Sequence, residues 1–160
     1  MIQRSLGSPL RHTLLALLTL GAIHQTAPWP GMQAALHAFL VIGIAPEFRS
    51  QLIGVLWAAA AGWVMEGSLR MYPHMGGTPL ANMIVCLLVG WTLMQWPPQS
   101  AKPYWVRLGA FAVLHMLLAH GLVFVAAGSH AWGSGPLWTV LLVPFWATAA
   151  FRLYVPHYRE

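Results

Sequence analysis

The chain has 160 residues, 58% hydrophobic and only 7% charged, where an average soluble domain carries about a quarter charged residues. Its 8 Lys+Arg, 3 Asp+Glu and 8 His give a formal net charge of +5, too few charges to cover a soluble surface of this size. The basic residues are scattered with no aromatic-interleaved patch, which argues against nucleic acid as a partner.

Long apolar runs separated by short Pro-, Gly- and Trp-rich breaks predict an all-α polytopic membrane protein with six transmembrane helices. A transmembrane β-barrel would alternate strictly, and Leu14-Leu15-Ala16-Leu17-Leu18 and Ala58-Ala59-Ala60-Ala61 do not. The first expected span, 10–27, ends at Pro28-Trp29-Pro30-Gly31, a helix stop with an interfacial Trp. Its end lacks a clean small-x-small cleavage site, so it reads as a retained span rather than a signal peptide. The second, 33–45, falls short of the roughly 20 residues a hydrocarbon core requires. It reads as a short span, with a re-entrant piece or a surface helix as the alternatives. Pro46-Glu47-Phe48-Arg49 stops it. The third runs over 51–69, and the fourth over 77–96, opened by Gly76-Gly77-Thr78-Pro79. After a loop at Pro97 to Pro103 comes the fifth, 105–127. A loop at Gly128 to Gly135 precedes the sixth, 136–154. The loops are too short to hold another domain, so 1–160 is expected to form a single transmembrane domain.

Charge sets the expected orientation. With six spans and a cytoplasmic N-terminus, Arg4, Arg11, Arg49, Lys102, Arg107, Arg152 and Arg159 face the cytoplasm, and Arg70 alone lies outside. That is a strong positive-inside bias. It favours counting 33–45 as a span and places both termini on the cytoplasmic side of the membrane.

Few residues suggest chemistry. Glu66 is the acid that falls inside an apolar run, and Arg70 follows four residues later on the same helix face. That spacing predicts an ion pair closing the helix end, or a ligand, proton or partner contact at the outer mouth. The histidines invite a metal or haem, which needs two imidazoles aimed at one point. His115 and His120 point about 140° apart on one helix, while His24 and His37 could meet across two. No HExxH, GxSxG or Walker-type motif is present. Cys86 is the single cysteine, with neither a disulfide nor a CxxC partner. The expectation is a protein that is not an enzyme and carries no cofactor or metal. Gly54, Ala58, Ala61 and Gly62 make a small-residue stripe on the third span. Such a stripe serves either packing within the bundle or docking of another membrane protein. Together with Glu66 and Arg70 it forms the expected partner-interaction face.

Several local features resemble the bacterial rod-shape-determining MreD family. The size and six expected spans agree. The first span exits through Ala27-Pro28-Trp29-Pro30, and the third begins near Gly54 and ends with an acid, Glu66, where the family has Asp. Gly76-Gly77 opens the fourth span, and Val143-Pro144-Phe145-Trp146 precedes a basic tail from Arg152 to Arg159. The longer stretch from Glu66 to Gly76 and the many His and Ala residues depart from the family pattern. The resemblance implies a non-enzymatic membrane component of the cell-wall elongation and rod-shape machinery. Its implied partners are an MreC-like bitopic scaffold, a RodA-like glycosyltransferase with its transpeptidase, and MreB filaments. It also implies a fold similar to the substrate-binding subunits of energy-coupling-factor vitamin transporters, and such a subunit is the alternative reading. A vitamin binder would need polar and aromatic groups converging near the outer mouth, where Tyr72, His74 and Glu66 are the available cluster. A small membrane redox or haem-associated protein is a second alternative.

Overall fold

The computed structural model describes residues 9–68, 76–97, 100–127 and 135–154. The protein is all-α, with no strand among the described residues. Helix α1 covers Pro9–Gln25 and α2 Pro30–Ala38, with α3 at Gln51–Ser68 and α4 at Gly77–Gln95. Helix α5 covers Ala101–Ala127, α6 Gly135–Leu141 and α7 Val143–Tyr154. Two stretches, Gly77–Gln95 at mean hydropathy 1.6 and Ala101–Leu122 at 1.4, are long and apolar enough to cross a membrane. The other expected spans are also helical, but they are shorter, interrupted or carry polar residues, as α3 does with Gln51 and Glu66.

Prolines mark the helix starts. Pro30 opens α2, and Pro79 and Pro103 sit in the first turns of α4 and α5, where no N–H is needed and φ is already helical. The expected loop up to Pro103 is therefore shorter, because α5 begins at Ala101. Likewise, α2 starts three residues before the expected 33. Pro144 has the opposite effect. It lacks a donor and crowds the carbonyl four residues back, so the expected 136–154 helix breaks at Leu142 into α6 and α7.

The short second segment is the centre of the bundle. Helix α2 runs on as a π-helical stretch, Phe39–Ile44, and a 3-10 turn, Ala45–Glu47. At about 1.5 Å per residue the whole rod is roughly 27 Å long. Pro46 explains the change of winding. It cannot donate to Ile42, and its ring displaces that carbonyl, so the ladder widens upstream and Ala45 N–H bonds Leu40 O instead. Leu40 to Phe48 are all buried, and the rod touches α1, α3, α4, α5, α6 and α7. A surface helix is excluded.

Helices α3 and α4 pack as an antiparallel pair. A Cβ on Gly62 would lie 2.5 Å from Pro79 Cα and N. One on Gly54 would overlap the Ala45 carbonyl oxygen and lie 3.7 Å from Cys86 Sγ. Between them, Asn82 reaches the Ala58 carbonyl. Gly54, Ala58, Ala61 and Gly62 are all buried, so the stripe expected to dock a partner is filled by the protein's own α4 and Ala45. The packing alternative holds, because small residues let backbones approach closely.

Polarity is inverted relative to a soluble protein. The outside is apolar on several helices at once: Leu18 on α1 is 72% exposed, Leu52 on α3 68%, Val106 on α5 67% and Phe145 on α7 74%. Gln33, His37, Glu47, Glu66, Asn82 and His115 are instead buried. Both acids within the described residues lie inside, while Arg11, Arg49, Lys102 and Arg152 are exposed.

Candidate functional site

At the end of α3, Glu66 is fully buried. Its Oε2 accepts the Gly76 N–H at 2.6 Å and its Oε1 accepts the Thr78 N–H at 2.7 Å. Gly76 is the N-cap of α4, held at φ 117°, a left-handed conformation that glycine adopts without strain. Glycine offers no side chain to cap the helix, so the preceding helix supplies a carboxylate. It satisfies two of the unpaired first-turn donors and places negative charge at the positive end of the helix dipole. This gives Glu66 a structural reason besides the ion pair that its spacing to Arg70 suggests. Arg70, Tyr72 and His74 lie outside the described residues.

Near the middle of the bundle, His37 on α2, Asn82 on α4 and His115 on α5 meet. Asn82 Nδ2 lies 3.0 Å from His37 Nε2 and donates to Ala58 O at 2.8 Å. His115 Nε2 lies 2.6 Å from Asn82 Oδ1, and the two imidazole rings are 5.2 Å apart. All three side chains are buried. The hydrogen-bond pattern fixes the protons. The Ala58 carbonyl can only accept, so the Asn82 amide nitrogen must face it. That nitrogen's second hydrogen then points at His37 Nε2, which must be a bare acceptor, so His37 is neutral. Asn82 Oδ1 in turn requires His115 Nε2 to carry a hydrogen. One amide thus ties α2, α3, α4 and α5 together.

The expected meeting of His24 and His37 does not occur. His24 Nδ1 lies 3.4 Å from Ser68 Oγ at the bundle end. Sequence reasoning missed Asn82 altogether. The available signal was an amide in the interior of the apolar run of 77–96, away from Gln95 at its end, since a buried polar group must find partners. Among the described residues, no group of three or more His, Cys, Asp or Glu could hold a metal ion.

A third polar cluster lies at the other end, where α2's rod finishes. Glu47 is buried there, within electrostatic reach of Tyr104 and Tyr154. The His12 ring lies 5.3 Å from that of Tyr154 and 5.8 Å from Phe48. The carboxylate thus sits where α1, α5 and α7 converge on the central rod. No family model, curated protein or solved structure matches this chain.

Proposed function

We propose that the protein is a multi-pass component of a bacterial cytoplasmic membrane that acts by binding other membrane proteins rather than by catalysis. The observation that carries this reading is the inverted polarity. Apolar side chains face outward on α1, α3, α5 and α7, while Glu66 and the His37–Asn82–His115 chain are satisfied inside. Lipid tolerates such a surface and water does not. Antiparallel helices also gather Arg11, Arg49, Lys102 and Arg152 at the Glu47 end, which that orientation turns to the cytoplasm.

Within that class, the features resembling MreD favour a place in the rod-shape machinery beside an MreC-like scaffold. The engagement of both Glu66 oxygens by main-chain N–H groups weighs against the vitamin-binding alternative, whose outer-mouth cluster needs that carboxylate free. The test is replacement. In a rod-shaped bacterium depleted of its own MreD, expressing this chain is expected to keep cells rod-shaped and to bring down an MreC-like protein from native membranes. Round cells, with co-purification of an ATPase module or retention of a vitamin, would establish the transporter reading instead.

A further inference from the structure

We propose that His37 is a proton-operated latch: neutral, it holds the bundle closed through Asn82, and protonation on Nε2 releases that tie. The inference rests on donors and acceptors. Asn82 Nδ2 has two hydrogens and two acceptors, the Ala58 carbonyl and His37 Nε2. A proton on His37 Nε2 sets donor against donor at 3.0 Å, and the amide cannot flip, because its oxygen would then face the Ala58 carbonyl. His115 is different. It already donates through Nε2 to Asn82 Oδ1, and a second proton on Nδ1 leaves that bond intact. The two histidines are therefore not equivalent, and only one is sensitive.

The surroundings suit such a device. From α5, His115 is the ionisable side chain against His37, with His120 further along that helix. Helix α4 presents the Asn82 amide and α3 the Ala58 carbonyl, with Glu66 eight residues on, bound to α4. Helix α1 carries Arg11 and His12 at its start and His24 at its end, α6 has no ionisable side chain, and α7 carries Arg152 and Tyr154 in its last turn. Glu47 is ten residues down the same rod as His37. No carboxylate among the described residues is hydrogen-bonded to His37 to hold a charge there. The π stretch Phe39–Ile44 begins two residues after His37. Such wide turns recur at functional sites, and this one can take up a change of winding when the tie is lost.

The chain's single cysteine is a built-in reporter. Cys86 is buried on α4, one turn beyond Asn82. The experiment measures alkylation of Cys86 by N-ethylmaleimide in the reconstituted full chain, normalised to the unfolded chain at each pH. Over about pH 7 to 4, wild-type labelling is expected to rise below the ordinary imidazole value by up to about tenfold per pH unit, the limit for one proton. Gln at 37 supplies a non-titrating acceptor in place of Nε2, so His37→Gln is expected to label slowly at every pH. His115→Gln keeps a donor and is expected to retain the wild-type rise. Asn82→Ala has no tie to release, so its labelling should be fast and flat. Flat wild-type labelling overturns the proposal, as does a rise that persists in His37→Gln or in Asn82→Ala.

Discussion

Glu66→Ala is expected to lower stability by about 3–5 kcal/mol, because it removes two hydrogen bonds to a charged acceptor, each worth roughly 1.5–3 kcal/mol, and strips α4 of its carboxylate cap. The lost charge at the helix start adds to this. Glu66→Gln should recover part of the loss, since one carbonyl oxygen can serve one of the two N–H groups while the amide nitrogen opposes the other. Arg70→Ala is the control that separates capping from ion pairing. If the cap is the reason for Glu66, removing Arg70 costs far less than removing Glu66. Folded fraction against SDS mole fraction in mixed micelles reads all three variants. A cost below about 1 kcal/mol for Glu66→Ala would show that the two contacts do not anchor α4.

Gly54→Leu and Gly62→Leu are expected to be as damaging. Even a Cβ at 62 meets Pro79 backbone atoms at 2.5 Å, and one at 54 overlaps a carbonyl oxygen. Neither obstacle is a flexible side-chain end, so the helices must separate. Overpacking of this kind costs about 1–3 kcal/mol at ordinary core sites and more where backbone blocks it. We expect at least roughly 3 kcal/mol, or failure to recover a folded monomer after detergent extraction. On α1, a Cβ added at Gly21 would meet nothing within 4 Å, so Gly21→Leu should be neutral or gain up to about 1 kcal/mol from helix propensity. If Gly62→Leu folded like wild type and only lost a binding partner, the stripe would be an outer docking face after all.

The sequence is informative where one signal dominates locally. Apolar runs place the helices, and Pro-rich breaks place their ends within a few residues. Misreadings arise where one residue type has two uses. Proline reads as a stop at Pro30 and Pro103, yet both lie in first helical turns, where proline costs nothing. The stripe on α3 could serve inside or outside equally well, because small residues state only that something approaches closely, not which helix does so. Residue spacing pairs Glu66 with Arg70, which lies outside the described residues, and gives no hint of the carboxylate's described contacts, ten and twelve residues away. The His37–Asn82–His115 chain spans 78 positions and three helices, and no one-dimensional period reports a contact set by tertiary packing. The central place of the second segment is equally hidden, since its shortness suggests a marginal element rather than the most enclosed one.

The direct test of a six-span bundle with both termini inside is reporter topology. Alkaline phosphatase, active only outside the cytoplasm, would be fused after Glu160 and, separately, within residues 128–134, with a fluorescent protein that folds only inside as its complement. The account predicts phosphatase activity from the 128–134 fusion alone and fluorescence from the Glu160 fusion alone. Phosphatase activity at Glu160, or fluorescence at 128–134, would contradict it.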